Sequence, residues 1–216
     1  MSKVRVKICG ITSFYDLKLA IEAGTDAIGV VVDVPESPRN ISIEKAKEIV
    51  DATPVFVDTV AVTVPKDVSH LEKICKEVNP TCIQIHGLES DHKQIQERLL
   101  DTRLIGTIKA KPDLKIEDIK IFTESYHAIL LDSFVPGKNG GSGLTHDWEI
   151  SKSIKNAIYP KPLILAGGLT PLNIKKAINT VKPYAVDVST GVEVSPGKKD
   201  HAKVFEFIKN AKEVDL

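Results

Sequence analysis

The stretch that decides the fold is Pro162 to Asn173, PLILAGGLTPLN. A short apolar run, Leu163-Ile164-Leu165-Ala166, meets a glycine pair, Gly167-Gly168. Thr170 and Pro171 then stand where an N-cap and a first helical residue belong. This reads as a buried strand that turns sharply into a helix. Two glycines let the backbone approach a ligand closely, and a helix N-terminus aims free N–H groups at it, which suits a phosphate. A tight turn that needs glycine only for its dihedrals would use the same residues.

Working outward in both directions, the same unit recurs. Upstream, strands are expected at Val4 to Ile8, Asp26 to Val32, within Val55 to Val64, at Cys82 to Ile85, Arg103 to Ile108 and His127 to Leu131. Tyr184 to Val188 follows downstream. Between them, helical spacing of apolar residues runs from Ser13 to Gly24, Ser42 to Ala52, Asp67 to Val78, Asp91 to Leu100, Ile116 to Glu124 and Asp147 to Ala157. It returns from Pro171 to Asn179 and from Asp200 to Lys212. Strand and helix alternate about eight times with no linker between them. The expectation is therefore a single α/β domain over residues 1–216, a (β/α)8 TIM barrel, with a doubly wound open sheet as the alternative. The dinucleotide form of that open sheet needs G-x-G-x-x-G after the first strand, and Cys9-Gly10-Ile11-Thr12 does not supply it.

Composition narrows the partners. The chain has 216 residues, and its 29 Lys plus Arg balance 29 Asp plus Glu. That gives no electrostatic case for nucleic acid or an anionic membrane. No apolar run reaches the roughly 18 residues of a membrane span, and no signal-peptide pattern opens the chain. Three cysteines, Cys9, Cys75 and Cys82, lack metal-site spacing and suit a cytoplasmic protein. Cys75 lies on an apolar helix face, and Cys82 reads as barrel filler.

In a parallel barrel, chemistry sits where strands end. The first strand ends Lys7-Ile8-Cys9-Gly10; alternation puts Val6 and Ile8 on the helices and turns Lys7 and Cys9 inward. An ammonium nearby lowers a thiol pKa and makes it a usable base or nucleophile. After the second strand, Ser37-Pro38-Arg39 presents a guanidinium suited to a carboxylate or phosphate, or a solvated loop arginine. Gln84 and His86 share the inward face at the fourth strand end. Asp132 ends an apolar run at the edge of a dry interior, where a carboxyl can act as a proton donor. The loop Gly137 to Gly143, GKNGGSG, could be a lid, a phosphate cradle or merely flexible. The last strand ends Asp187-Val188-Ser189-Thr190-Gly191. Its neighbour should be the Gly167-Gly168 strand, which makes these two loops the expected phosphate site.

Together these pieces resemble the phosphoribosylanthranilate isomerases of tryptophan biosynthesis. The matching segments are Lys7 to Thr12, Ser37-Pro38-Arg39, Gln84 to Gly87, and Gly140 to Gly143 with Asp147-Trp148. Leu165 to Leu169 with Pro171 and Asn173, and the run from Asp187 to Asp200, complete the match in the family's order. Departures are His146 where the family usually has Phe, Ile85 for a usual Leu, and Val60-Ala61-Val62-Thr63 where Val-Gly-Val-Phe is common.

The resemblance implies an Amadori rearrangement of a small phosphoribosyl substrate, with Cys9 as base and Asp132 as acid. Arg39 would take the anthranilate carboxylate, with Lys7, Gln84, His86 and Asp187 as further substrate contacts. Gly141, Gly167, Gly168, Ser189, Thr190 and Gly191 would hold the phosphate. Electrons end on the substrate nitrogen, so neither metal nor redox cofactor is required, and a monomer or homodimer is expected. Three rivals stand beside this. A metal-dependent phosphosugar epimerase would want histidines at strand ends. A histidine-pathway aminoaldose isomerase would want aspartate at position 9. A non-catalytic phosphoribosyl sensor would need neither Cys9 nor Asp132.

Overall fold

Runs rich in Val, Ile and Leu form every strand of the sheet, and their continuity rather than strict alternation marks strands buried on both faces. The computed structural model describes residues 3–87, 92–99, 102–111, 114–133 and 147–216. Its barrel strands are β1 (Arg5–Cys9), β2 (Ala27–Val32), β3 (Asp58–Thr63), β4 (Cys82–Ile85), β5 (Arg103–Ala110), β6 (Ala128–Ser133), β7 (Leu163–Leu165) and β8 (Ala185–Val188). Each pairs in parallel with the next, and β1 pairs with both β2 and β8, which closes the barrel. A two-residue strand, Asn40–Ile41, pairs in parallel with the end of β2 at Val31 and Val32.

The helices are α1 (Phe14–Glu22), α2 (Ile43–Asp51), α3 (Val68–Val78), α4 (His92–Arg98), α5 (Ile116–Thr123), α6 (Trp148–Ala157), α7 (Ile174–Val181) and α8 (His201–Lys212). Ser13, Ser42, Asp67, Asp147 and Asp200 cap five of them, each side chain accepting a first-turn N–H. Among the described residues, no helix is long and apolar enough to cross a membrane.

Two apolar layers result. The larger lies between strands and helices and includes Val6, Ile8, Ile28, Leu71, Ile74, Ile83, Ile129 and Phe207. Burying each such side chain stabilises the fold by about 1.5–3 kcal/mol. The smaller fills the barrel: Cys9, Val31, Val60, Val62, Ile105, Leu130, Ile164, Ala166 and Ala185, with Cys82 against it. Cys75 packs against the outer layer, as its helix face suggests.

Several boundaries differ from the sequence reading. β6 runs through Asp132 to Ser133 instead of stopping at Leu131, because β5 continues to Ala110 and pairs with it. α7 begins at Ile174, not Pro171. Asn173 Oδ1 accepts the Thr170 N–H at 2.8 Å while its Nδ2 donates to the Gly168 carbonyl, so a side-chain-locked turn precedes the helix. After β8, the chain makes a 3-10 turn, Thr190–Val192. An antiparallel hairpin of Glu193–Ser195 with Lys198–Lys199 follows.

Candidate active site at the mouth of the barrel

Alternation along β1 places Val6 and Ile8 in the outer layer and Cys9 in the barrel interior. Lys7, on the same face as Cys9, is buried. Room for both comes from β2. A Cβ on Gly29 would stand 2.9 Å from Cys9 Sγ and 3.1 Å from Lys7 Nζ, so only glycine leaves these side chains undisturbed.

Lys7 Nζ donates to Asp187 Oδ1 at 2.8 Å and to Gln84 Oε1 at 3.0 Å. Gln84 Nε2 then lies 2.9 Å from His86 Nε2. An ammonium only donates, so Lys7 fixes which end of the Gln84 amide is oxygen. The Gln84 NH2 must therefore donate to His86, which makes Nε2 the acceptor and leaves the proton on Nδ1. Burial, reinforced by the Lys7 charge and by Lys109, pushes the imidazole down to about 4 against a partial counterpull from Asp187. His86 is thus a neutral imidazole of one defined tautomer. Burial opposes the charge on Lys7, but the Asp187 carboxylate outweighs it and holds the ammonium above its ordinary range.

The sequence expectation for Cys9 needs correcting in its balance. Lys7 and Lys199 do pull the thiol down, but burial outweighs them, with Asp187 adding to it, and the net shift is upward. The resting thiol is protonated.

Arg39 reaches the mouth over Gly10. A Cβ on Gly10, whose φ is +77°, would lie 2.6 Å from Arg39 Cδ and 2.9 Å from Ser189 Oγ. Arg39 Nε donates to Glu193 Oε1 at 2.9 Å and Nη2 to Oε2 at 2.6 Å; Nη2 also donates to Thr190 Oγ1 at 3.0 Å. The arginine is neither solvated nor wholly open, since one edge of its fork is taken by a carboxylate of this chain. Glu193 Oε1 also accepts from Lys199 Nζ at 2.9 Å, and Lys199 donates to the Cys9 backbone carbonyl. Arg39 and Lys199 together hold the Glu193 carboxyl below its usual range despite burial.

At the two last strands, β7 and β8 are neighbours, as Ile164↔Ala185 and Leu165↔Val186 register shows. Gly167 and Gly168 have φ of 83° and 62°, left-handed values that side chains resist. A Cβ on Gly191 would meet the Leu169 carbonyl oxygen at 1.9 Å. The loop after β8 therefore lies directly on the loop after β7, and glycine at 191 is what lets them touch. Asp132, the next-to-last residue of β6, lies on the face of Leu130, which points into the barrel, and it is half-buried. Lys109 on β5 is its register partner. Gly141 and the rest of the Gly137 to Gly143 loop, with His146, lie outside the described residues.

The structure thus links Lys7, Gln84, His86 and Asp187 in one hydrogen-bonded chain beside Cys9, and joins Arg39 to Thr190. Sequence reading missed Gly29, Glu193 and Lys199. Only the Pro196-Gly197 turn signals the hairpin that carries the last two.

The model of the N-(5'phosphoribosyl)anthranilate (PRA) isomerase family matches residues 6–210. The N-(5'-phosphoribosyl)anthranilate isomerase of Geobacter metallireducens is 42% identical over 209 residues, 97% of this chain and 99% of that protein. The crystal structure of the Thermotoga maritima phosphoribosyl anthranilate isomerase superposes with a TM-score of 0.86 at 38% identity, covering 98% of this chain and all of that one. A second phosphoribosyl anthranilate isomerase structure, 37% identical, has a TM-score of 0.82 over 98% of this chain and all of that one. It holds reduced 1-(o-carboxyphenylamino)-1-deoxyribulose 5-phosphate. With the family's pattern running through nearly its whole length, this chain belongs to the phosphoribosylanthranilate isomerases, enzymes of tryptophan biosynthesis.

Proposed function

We propose that this isomerase converts N-(5-phosphoribosyl)anthranilate to 1-(2-carboxyphenylamino)-1-deoxyribulose 5-phosphate with Cys9 as base and Asp132 as acid. Asp132 protonates the ring oxygen, and the C1–O bond breaks to give a protonated imine. The imine acidifies C2–H. Cys9 takes that proton, the C–H electron pair forms C1=C2, and the imine pair returns to nitrogen. The enolamine then tautomerises to the ketone by protonation at C1. No electron leaves the substrate, so the chemistry itself asks for no redox cofactor.

The observation that carries this reading is the setting of Cys9. Its thiol faces the interior at a strand end, against Gly29 and Lys7, with the Arg39 stem lying over the adjacent Gly10. Burial keeps the resting thiol protonated, while Lys7 and Lys199 favour the thiolate. The cationic imine that forms beside it adds to their pull at the moment a base is needed. Arg39 is assigned to the substrate carboxylate. Its Nε–Nη2 edge is held by Glu193, which leaves Nη1 as the donor without a protein acceptor among the described residues. A carboxylate on Nη1 can share Nη2 in place of Thr190. Gly167, Gly168, Ser189, Thr190, Gly191 and Gly141 are assigned to the phosphate, mostly through backbone N–H groups. Lys7, Gln84, His86 and Asp187 are assigned to the substrate's surroundings, with Lys7 and Asp187 acting from below.

Every group assigned here belongs to one chain, so both a monomer and a homodimer are compatible with the chemistry, and sedimentation velocity separates them. The balanced charge supports a small-molecule substrate in place of nucleic acid or a membrane surface, and three scattered thiols support a cytoplasmic setting. A turnover assay with freshly generated phosphoribosylanthranilate tests the whole reading. Formation of the aminoketose is the expected result, and its absence from folded protein overturns the assignment.

A further inference from the structure

Glu193 is a buried carboxylate at the mouth, with 3% of its side chain exposed, and it is shared by two cations. Arg39 spends two donors on it in a side-on fork, and Lys199, with no side-chain exposure at all, spends a third. Lys199 continues to the backbone carbonyl of Cys9 and lies 3.5 Å from the Ser189 carbonyl. One carboxylate therefore connects the loop after β2, the end of β1 and the loop after β8. The hairpin register makes Glu193 and Lys199 direct cross-strand partners, so the pair is set by the backbone and not by chance rotamers. Thr12 Oγ1 pins the same hairpin from the loop after β1, donating to the Gly197 carbonyl at 2.6 Å.

Stability alone does not account for such a trio. Taking three charges out of water is costly, and apolar replacements are often as stable or more so. What the trio supplies is geometry. A long arginine side chain at a loop samples many rotamers, and a ligand that had to order it would bind less tightly. Here two bonds to one rigid carboxylate fix the guanidinium plane before any ligand arrives, and they aim the remaining donors away from the protein's own acid. Burial pushes the Lys199 ammonium down from its ordinary range against the pull of Glu193, whereas the Arg39 guanidinium, bonded to the same carboxylate, is held above its own and keeps its charge beside the loops assigned to phosphate.

We propose that Glu193 is a positioning residue of this enzyme: it holds the Arg39 guanidinium for the substrate carboxylate and, through Lys199, at a set distance from Cys9. The inference rests on Arg39 binding that carboxylate. Its test is a double-mutant cycle in steady-state turnover with Arg39→Ala, Glu193→Gln and the double variant, each first shown to be folded by circular dichroism and a cooperative melt. Glu193→Gln should raise KM by about tenfold while kcat falls by less than about threefold. The double variant should match Arg39→Ala within about twofold in kcat/KM, because Glu193 acts through Arg39. Glu193→Asp keeps the charge for Lys199 but cannot reach both arginine nitrogens. It should fold as the parent does and still raise KM, which carries the test if the Gln variant does not fold. If Arg39→Ala raises KM and both Glu193 variants leave it unchanged, or if the losses multiply in the double variant, the inference is overturned while the Arg39 assignment stands. If Arg39→Ala itself leaves KM unchanged, the Arg39 assignment falls and takes this inference with it.

Discussion

The Lys7 ammonium lies 2.8 Å from Asp187 Oδ1 inside the barrel, with 4% and 10% of the two side chains exposed. The two residues are register partners on β1 and β8, so the closure of the barrel creates the pair. A permanent positive charge is thereby installed below Cys9, and its effect reaches both Cys9 and His86.

Removing the anion should expose the cost of that charge. Asp187→Asn leaves a buried ammonium without a counter-ion, and breaking a buried pair this way destabilises by about 3–5 kcal/mol. In the parent, Lys7 has a raised folded value. Its contribution is therefore full below the unfolded value of 10.5 and lost as pH rises through the folded one. In the variant, burial without Asp187 turns the shift downward, so the stability deficit shrinks as pH rises. Urea unfolding at several alkaline pH values reads this. A deficit that is constant with pH would mean that the variant's cost is not the Lys7 charge.

The fixed amide of Gln84 gives a second expectation. In the parent, His86 should titrate near pH 4 with Nε2 unprotonated at neutral pH, which nitrogen-15 shifts of the imidazole report. A histidine depressed on folding makes the unfolded chain bind the extra proton. Stability therefore falls as pH drops from about 6.5 toward about 4, and the slope ends below that. Gln84→Glu should reverse the effect. A carboxylate accepts from Lys7 with one oxygen and from a protonated Nε2 with the other, so the His86 midpoint should move up. An unchanged midpoint would show that Lys7 does not set the imidazole through residue 84.

Gly29→Ala tests the room inside the barrel. The added methyl would need Cys9 Sγ to move, since 2.9 Å is nearer than a real Cβ contact allows, and it would crowd the Lys7 terminus at 3.1 Å. Overpacking of this kind costs about 1–3 kcal/mol, and a base displaced by an ångström loses about 10²-fold in rate. The variant should fold with a modestly lower melting temperature and a much lower kcat. Full activity would place the reacting thiol elsewhere.

How legible all this was in the sequence depends on what each residue's neighbours are. Lys7 and Cys9 were readable because a strand's alternation is local, and Val6 and Ile8 name the outer face. The adjacency of the Gly167-Gly168 loop to Ser189 to Gly191 followed from strand order in a barrel. The start of α7 was misread because Thr170 and Pro171 carry the usual helix-start letters, whereas Asn173, bridging Thr170 and Gly168, sets the boundary. Glu193 and Lys199 belong to types that normally face water, in strands of three and two residues that show no periodicity. Gly29 reads as an ordinary strand glycine until β1 is laid beside it. The sign of the Cys9 shift was a contest between burial and two ammonium groups, and a sequence does not say how deep a thiol lies.

The acid–base pair is the final expectation. Cys9 ends β1 and Asp132 lies at the end of β6, both on inward faces at the C-terminal mouth, so a ribose between them can be met from either side. Cys9→Ala should remove proton abstraction at C2, and Asp132→Asn should block ring opening while nearly preserving shape. A positioned acid or base contributes about 10²–10⁴-fold, or about 3–5 kcal/mol of barrier, and each variant should lose at least the lower figure in kcat. Competition by inorganic phosphate should survive in both, because the loops after β7 and β8 are untouched. Thiol alkylation should inactivate the parent slowly near neutral pH and faster as pH rises, since burial holds the thiol up, and bound product should protect. Near-native turnover by Cys9→Ala would make Cys9 a packing residue and remove the mechanism, though not the barrel. Near-native turnover by Asp132→Asn alone would leave the base in place and require another donor at the ring oxygen.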